Sequence, residues 1–407
     1  MKSPGFKIYE LIRTTLFVLI LLLASPQTAS GDPKSVEHAK AAVRGWLKAD
    51  GIPLNTKLGQ KIKRAETFKD KAGTALYHVV YLDPEGFVIV AGDDLIEPII
   101  GFAPHGQFDQ STKNPLGALV SRDLPSRHAR VKGLKSATAQ GLPLAAKNKW
   151  ERLNSMDVAG SGSGLPSTNT ISDVWVAPLT QTTWDQLTLT VGGEACYNYY
   201  TPPYAAGAGT NYYCGCVATA MAQLMYYYQY PVNGVGTALF SIKIKGQAAT
   251  RNLRGGDGNG GAYSWSNMVL NPAAGANDTQ RQAIGALCAD AGVAVNMNYG
   301  DRAYGGSGAD TSTAKDALIT TFGYANAIYG HNTIFTNIGS SLYGMVNPNL
   351  DAGCPVLFGI TDGNTAHEIV CDGYGYNLSA PYHHLNLGWG GGPILFGITY
   401  RILTPLT

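Results

Sequence analysis

The sequence lacks an excess of charge of either sign. Its 407 residues include 30 basic and 28 acidic side chains, and charged residues make up only 14% of the chain. This balance leaves neither a basic face for nucleic acid nor an acidic tail, so we expect no nucleic-acid partner. The length exceeds that of one compact domain, and it predicts two or more units with sizeable cores.

Long apolar runs are absent after the N-terminus. Residues 1–31 carry Lys2, Lys7 and Arg13, then the apolar run TTLFVLILLLA and the small residues of SPQTASGD. This pattern is typical of a secretory signal peptide cleaved near Gly31. The run is well short of the roughly 20 residues that span a bilayer. We therefore predict export, extracellular or periplasmic, and a soluble mature protein with no membrane contact after signal cleavage.

Cysteine is absent from the first 195 residues, whereas all six cysteines lie between Cys196 and Cys371. The asymmetry predicts two units with different tasks. Between them, NSMDVAGSGSGLPSTNTIS at 154–172 has the composition of a flexible tether that proteases cut easily. We therefore predict one domain over 32–153 and a second over 173–407.

Apolar periodicity predicts the main elements of both units. In the first, a helix begins at Val36 and ends before Gly51, and a hairpin with its turn at Asp83–Gly86 is followed by a strand in EPIIGFAP. In the second, helices are predicted at 216–230, in TQRQAIGALCADAGVAV and in DTSTAKDALITTFGY. Strands follow in PVLFGIT, HEIVCDGYGY and YHHLNLGWG. Because the helices come before the strands along the chain, we predict an α+β fold with an antiparallel sheet.

The run CGCVATAMAQLMYYYQYP places Cys216 at the start of a predicted helix. A helix dipole stabilises a thiolate by about 0.3 to 1 kcal/mol, and by up to about 2 kcal/mol when partly buried. Because one pKa unit is about 1.4 kcal/mol, the dipole lowers the pKa by only about one unit. A reactive thiolate therefore needs a cationic partner, and histidine is the natural one.

Four histidines remain if the N-terminal unit is removed: His331, His367, His383 and His384. His367 opens a predicted strand after the polar turn TDGNTA, so its imidazole can stand at the rim of a sheet and reach a helix terminus. His383 and His384 are adjacent on a predicted strand and face opposite sides, so at most one of them can join any site.

Other readings of the cysteines and glycines are weaker. A zinc site built from Cys214, Cys216, His383 and His384 would need a second paired spacing such as C-x-x-C, which the sequence lacks. YGGSGAD lacks the G-x-x-x-x-G-K pattern of a phosphate loop, so we interpret Gly305 and Gly306 as a rim of a substrate cleft. We expect no metal and no cofactor.

The remaining cysteines are interpreted as structural. Cys214 either pairs with Cys196 in a disulfide, which an exported protein permits, or stays reduced. Cys288, on a predicted helix, and Cys354 and Cys371, on neighbouring predicted strands, are expected to be core thiols.

The chain resembles the streptopain family of secreted bacterial cysteine peptidases, which have a papain-like fold. The resemblance rests on GCVATAMAQLMYYYQYP, the His367 strand and YHHLNLGWGGG in this order, with further likeness in YSWSNM and AIGALCADAGVAVNMNYG. GFVIVAGDDLIEPIIGF resembles the propeptide of the family. Most of residues 75–400 are covered.

The resemblance implies a two-subdomain peptidase made as a zymogen, with protein or peptide substrates. Its own propeptide at 32–153 would be an intramolecular inhibitor, cut away within 154–172. The preferred substrate would carry an apolar residue two before the cut.

By position, the resemblance implies Cys216 as the nucleophile and His367 as its general base. Asn386 would orient the imidazole, and Gln186 in TTWDQ would join the backbone N–H of Cys216 in the oxyanion hole. The substrate cleft would include Gly215 as well as the tryptophan of LNLGWGG, Trp389.

Two positions depart from the family pattern. Leu387 follows Asn386 where the family typically has Trp, and Glu368 follows His367 where Ala is frequent. On a strand the Glu368 side chain should point away from the site, although a nearby carboxylate could still raise the pKa of the imidazole. These departures favour one alternative, a catalytically silent papain-like binding or adhesion module. Another acyl transfer on the same thiol, by an amidase or transpeptidase, is a third hypothesis.

Overall fold

The computed structural model of the chain describes residues 31–112, 114–134, 142–158, 172–189, 193–330, 341–361, 366–378, 380–390 and 394–396. The predicted signal peptide up to residue 30 and positions 159–171 of the predicted tether lie outside these ranges.

The N-terminal unit combines three helices and four strands. They are α1 (Val36–Ala49), α2 (Pro115–Leu134), α3 (Leu142–Val158), β1 (Lys61–Lys69), β2 (Ala75–Asp83), β3 (Phe87–Ala91) and β4 (Ile99–Ala103). The predicted helix, hairpin and following strand are confirmed. Ser35 caps α1 by accepting a hydrogen bond from the His38 backbone N–H, and the predicted apolar face is buried.

Helices α2 and α3 were not predicted, because their apolar residues form only a weak stripe along the helix. Helix α3 ends at Val158, so the expectation of a flexible tether beginning at residue 154 was wrong for its first five positions. An ion pair between Arg44 and Asp157, 2.8 Å between Nη2 and Oδ2, holds this helix end against α1.

The second unit has helices before its main strands, as predicted. Its elements are β5 (Ser172–Val176), α4 (Cys216–Tyr228), β6 (Leu239–Ile244), β7 (Gln247–Asn252), α5 (Asp278–Ala294), β8 (Asn298–Tyr299), α6 (Thr311–Asp316), α7 (Ser341–Asp351), β9 (Val356–Thr361), β10 (Ala366–Asn377), β11 (Ala380–Asn386) and β12 (Ile394–Phe396). A π-helical turn over 317–321 extends α6. The α+β class with an antiparallel main sheet is confirmed.

One antiparallel sheet joins the two units. Its strand order is β1-β2-β3-β4-β12-β11-β10-β5, and β9 pairs with the first half of β10. The junction between the units is the pairing of β12 with β4, where residue 395 lies opposite Phe102. Pairing between strands almost 300 positions apart leaves no local pattern in the sequence, and it was not predicted.

Buried aromatic side chains seal this junction. Trp46 packs on Phe102 with 4.9 Å between ring centroids, and Phe102 packs on Tyr382 at 5.6 Å. The Trp46 indole donates a buried hydrogen bond of 2.8 Å to Asn377 Oδ1, and the Tyr382 hydroxyl donates one of 2.6 Å to the Ile99 carbonyl. The N-terminal unit and the sheet of the second unit therefore share one core.

A second core lies among the helices. It is built around α4 and α5, with Met221, Met225, Ile284 and Leu287 fully buried. Helix α4 contacts both α5 and β10, so its N-terminus stands where the helical core meets the sheet. Within the described ranges, none of the helices is both long and apolar enough to cross a membrane.

Candidate active site

A glycine in an unusual conformation sets the entrance of α4. Gly215 has φ +93°, and a Cβ there would lie 2.7 Å from Met297 Cε. Only glycine fits this backbone without strain. The chain therefore turns sharply and presents Cys216 as the first residue of α4.

The predicted cleft rim is fastened to this entrance. The Ser307 hydroxyl donates a hydrogen bond of 2.6 Å to the Tyr213 carbonyl and accepts one of 2.9 Å from the Gly300 N–H. Gly305 and Gly306 precede Ser307 with φ of +105° and +90°, which only glycine adopts readily. The 300–308 loop thus borders the helix start, and the assignment of its glycines to a substrate cleft stays a prediction.

Cys216 is held in an environment that disfavours its thiolate. Burial raises the pKa of its thiol to about 11, the backbone N–H of Glu368 lowers it, and the Glu368 carboxylate raises it further. At neutral pH the thiol is therefore protonated in this arrangement. The influence of the Glu368 N–H also places the sulfur against the strand that carries His367.

His367 faces the N-terminal unit. Its Nε2 donates a hydrogen bond of 3.1 Å to the backbone carbonyl of Thr112, in the loop before α2. Its ring packs edge-on against Trp389, with centroids 6.0 Å apart and an interplanar angle of 83°. The imidazole is thus bound by a segment outside the second domain. Thr112 was not predicted, because a backbone carbonyl has no sequence signature.

Glu368 follows His367 on β10, and its side chain is buried. Its side chain is 1% exposed, and its Oε2 accepts a hydrogen bond of 2.6 Å from the Thr311 hydroxyl at the start of α6. Burial raises the pKa of this carboxyl to about 8, against the opposing effect of the Thr311 hydrogen bond. The expectation that the Glu368 side chain points away from the site stays a prediction.

Asn386 is close to the site but is engaged elsewhere. Its Nδ2 donates a hydrogen bond of 2.7 Å to the Thr182 carbonyl, and its Oδ1 accepts one of 3.2 Å from the Gly388 N–H. Among the residues that the structure describes, it makes no hydrogen bond to His367. The predicted orienting contact is therefore not formed in this arrangement.

Gln186 stands beside the entrance of α4. Its backbone carbonyl accepts a hydrogen bond of 2.8 Å from the Cys214 N–H, and the residue is buried. The Thr219 hydroxyl on the first turn of α4 donates to the Asp185 carbonyl at 3.1 Å. The Gly390 N–H donates to the Trp184 carbonyl at 3.0 Å. The 184–186 segment therefore ties the helix start to the turn that carries Trp389, which is 39% exposed.

All six cysteines are free thiols. The Cys196–Cys214 disulfide, one of two alternatives for this pair, is not formed, and the Cys214 sulfur lies 3.3 Å from Thr219 Oγ1. Cys288 and Cys371 are buried as expected, whereas Cys354 is partly exposed. In the described parts of the chain, no group of three or more His, Cys, Asp or Glu side chains is gathered as metal ligands would be.

The other candidate histidines serve different partners. His383 and His384 face opposite sides of β11, as predicted. His383 Nε2 lies 2.8 Å from Asn347 Oδ1, and burial lowers the pKa of His383 to about 4. His384 Nδ1 lies 2.5 Å from the buried carboxylate of Asp372. His331 lies outside the described residues.

Comparison with known families gives this geometry a context. Residues 192–393 match the Peptidase C10 family, and residues 31–122 match the family described as Spi protease inhibitor. Residues 192–393 therefore belong to the Peptidase C10 family. The C10 domain is a cysteine peptidase domain, and the inhibitor domain before it, a propeptide, gives the chain the organisation of a zymogen. The suspected streptopain resemblance is confirmed.

The C10 relatives differ in how much of their length the chain covers. Thiol protease/hemagglutinin PrtT of Porphyromonas gingivalis is 26% identical over 395 residues, which are 95% of this chain but only 40% of that protein. Streptopain of Streptococcus pyogenes is 24% identical over 409 residues, 96% of this chain and 90% of that protein. Among solved structures, a fragment of prointerpain A from Prevotella intermedia matches with a TM-score of 0.52 at 24% identity, over 82% of this chain and 91% of that one. That likeness establishes the fold, papain-like with a propeptide.

Proposed function

We propose that the chain is a secreted bacterial cysteine endopeptidase, made as a zymogen and active only after its N-terminal unit leaves. The observation that carries the proposal is the placement of two groups. Cys216 is the first residue of a helix, and its sulfur lies near the backbone N–H of Glu368, on the strand that carries His367. The His367 imidazole donates a hydrogen bond to the Thr112 backbone carbonyl of the inhibitor domain. The thiol and the imidazole are thus neighbours in the fold, and the inhibitor domain binds the Nε2 side of the imidazole.

Removal of the N-terminal unit takes away the Thr112 carbonyl and the shared core. The His367 imidazole is then released to accept the thiol proton of Cys216, and the resulting ion pair lowers the pKa of the thiol. The thiolate attacks the scissile carbonyl, and the imidazolium protonates the leaving amine. Water then hydrolyses the acyl-enzyme, with the imidazole as general base.

The oxyanion of each tetrahedral intermediate needs donors beside the attacking sulfur. The backbone N–H of Cys216 lies in the first turn of the helix, where N–H groups have no intrahelical acceptor, and the Gln186 carbonyl accepts a hydrogen bond from the neighbouring Cys214 N–H. We assign the Cys216 N–H and the Gln186 side chain to the oxyanion hole, where one donor is worth roughly 3 to 4 kcal/mol in the transition state. Asn386 anchors the 182 segment in the zymogen, and we assign it the orienting role only after maturation.

We propose that the cleavage that separates the units lies in the predicted tether. Because α3 runs to Val158 and β5 begins at Ser172, residues 159–171 are the part of the tether between these two elements. Their Gly- and Ser-rich composition suits the extended conformation that peptidases bind. Gly215, Gly305, Gly306 and Trp389 are assigned to the cleft that receives the chain.

Casein hydrolysis by the matured protein tests this proposal, with C216A as the test variant and C354A as the matched control. We expect wild type and C354A to hydrolyse casein equally and C216A to be inert. We also expect C216A to remain full length when it is produced without another protease. Equal activity of C216A and wild type would refute the thiol mechanism. A wild-type protein that hydrolyses nothing would favour the catalytically silent binding module.

A further inference from the structure

A cavity of about 770 Å³ lies at the junction between the two units. One wall belongs to the N-terminal unit and includes residues 54–59, and the opposite wall belongs to the second domain and includes Val174 and Tyr374. The walls meet where Leu54 packs on Gly375, since a Cβ at Gly375 would lie 2.9 Å from Leu54 Cδ2. The volume is in the range of pockets that bind small organic molecules, and the cavity is complete only while the units are joined.

A buried histidine on β11 lines this cavity. His384 is 7% exposed, and its Nδ1 donates a hydrogen bond of 2.5 Å to the Asp372 carboxylate. The other oxygen of Asp372 accepts hydrogen bonds from the Thr180 N–H and hydroxyl, at 2.9 and 2.5 Å, so this carboxylate is held in place. Because Nδ1 keeps its proton for Asp372, Nε2 is the ring nitrogen left for a ligand. Among the residues that the structure describes, Nε2 has no hydrogen-bond partner, although polar atoms of buried side chains normally have one.

The charges around the cavity favour an anionic ligand. Lys57 is exposed on its wall and forms no ion pair within the described ranges, whereas Glu85 already lies 2.8 Å from His105 Nδ1. Most of the remaining lining is apolar. A carboxylic acid with an apolar body matches these groups. Its proton passes to Nε2 of His384, whose positive charge Asp372 stabilises, and the carboxylate accepts hydrogen bonds from the imidazolium or from Lys57.

We propose that this cavity binds a small monocarboxylate with an apolar body, and that the bound ligand delays maturation. A ligand that contacts both walls binds the joined units and not the separated ones, so it stabilises the zymogen by mass action. Binding itself does not depend on catalysis, whereas the delay rests on the peptidase function proposed above.

Isothermal titration calorimetry on full-length C216A, which lacks the proposed nucleophile, tests binding directly. Octanoate is the first probe, octanol and octylamine are its neutral and cationic counterparts, and acetyl-Leu-Val carries the same carboxylate at a peptide end. We expect saturable one-to-one binding of at least one of the two carboxylates, about tenfold or more tighter than octanol or octylamine, the size of a charge-assisted hydrogen bond. The tighter of octanoate and acetyl-Leu-Val shows whether a fatty acid or a peptide end is the source.

Three variants in the same C216A background locate the site. H384N keeps an amide N–H for Asp372 but removes Nε2, and K57Q removes the cation, so each should weaken carboxylate binding by about tenfold or more. K63Q removes an exposed lysine of β1 that does not line the cavity, and it should bind within about twofold of its parent. K57Q, at an exposed position, decides the test if H384N is unstable.

The delay is measured on active wild type and on active K57Q, which mature to the same enzyme because Lys57 lies in the N-terminal unit. At a carboxylate concentration about ten times the dissociation constant for C216A, conversion of wild type should slow by about tenfold and that of K57Q by about twofold. Equal slowing of the two would place the ligand on the mature enzyme and would overturn the regulatory role.

The binding site is overturned if none of the four probes binds C216A saturably, or if octanol or octylamine binds as tightly as the carboxylates. It is also overturned if both H384N and K57Q bind like their parent. A wild type that never matures would refute the proposed function instead, and the binding result would still stand because it is measured in C216A.

Discussion

The Nε2 atom of His367 donates its hydrogen bond to the backbone carbonyl of Thr112, 3.1 Å away, in a loop of the inhibitor domain. A ring nitrogen that donates to a carbonyl carries a proton and cannot accept one at that atom. The inhibitor domain therefore fixes the Nε2 side of the proposed general base, so a proton from a thiol has to be accepted at Nδ1. Substitutions in the loop that carries Thr112 are therefore expected to change the rate of maturation.

The cap of α2 should set the rate of maturation. Asn114 Oδ1 accepts hydrogen bonds from the Leu116 and Gly117 N–H groups, 3.0 and 3.2 Å away, and so fixes the loop two residues after Thr112. N114A removes this cap at a cost of about 0.5 to 2 kcal/mol. We expect full-length N114A to be processed several-fold faster than wild type, as followed by gel electrophoresis. S121A, which removes a hydroxyl contact one turn further along α2, should mature at the wild-type rate, and equal rates for N114A and wild type would contradict the role of this loop.

The Cys216 thiol should change reactivity on maturation. In the zymogen its pKa is raised to about 11 by burial, with the Glu368 backbone N–H opposing and the Glu368 carboxylate reinforcing the effect. Only the thiolate reacts with iodoacetamide, so at pH 7 we expect labelling of the full-length form to be at least about a hundredfold slower than that of the mature form. The measurement uses a C354A protein, because Cys354 is a second, partly exposed thiol. Intact-mass spectra then separate the full-length and mature forms, so that the labelling of both is followed in one reaction. Equal labelling rates would show that the inhibitor domain leaves the thiol unaffected.

Glu368 should give the zymogen an unusual dependence of stability on pH. Its pKa is raised from 4.5 to about 8 by burial, so between these values the folded state keeps a proton that the unfolded state has lost. Stability from this group is complete below pH 4.5 and falls as pH rises toward 8, by up to about 1.4 kcal/mol per pH unit. In a C216A background, which prevents self-cleavage, E368Q should flatten the profile of urea unfolding over pH 5 to 8. D316N should leave the slope unchanged, and parallel profiles for E368Q and its parent would disprove the assignment.

Gly215 should not tolerate a side chain. Alanine there combines φ +93° with a Cβ only 2.7 Å from Met297 Cε, and we expect G215A to lose about 1 to 3 kcal/mol of unfolding free energy together with peptidase activity. Urea unfolding in the C216A background and casein hydrolysis in the active protein measure the two effects. Gly308, where an added Cβ meets nothing within 4 Å, is the control, and G308A should stay within about 0.5 kcal/mol of its parent. A G215A protein with normal stability would rule out this geometry.

Local patterns in the sequence were sufficient to predict the helix that carries Cys216 and the strand that carries His367. The helix begins at Cys216 because Gly215 allows the turn and the following apolar residues fill one core, and both features are visible in order along the chain. The strand of His367 was recognised in the same way, from a polar turn followed by an apolar run. The hydrogen bonds of Asn386 to Thr182 and Gly388 were not recognised, because the choice among several nearby acceptors depends on packing around the amide.

By itself, the sequence determined the α+β class, the order of elements in the second domain, the placement of Cys216 at the start of a helix and the presence of a preceding domain. Short-range periodicity and turn chemistry carry that information. Only the tertiary structure decided that β4 pairs with β12, that the Thr112 carbonyl accepts a hydrogen bond from His367, and that Glu368 is buried near Cys216. These three relationships join residues that are distant along the chain, and their free energies come from burial and hydrogen bonding that exist only once the whole chain has packed.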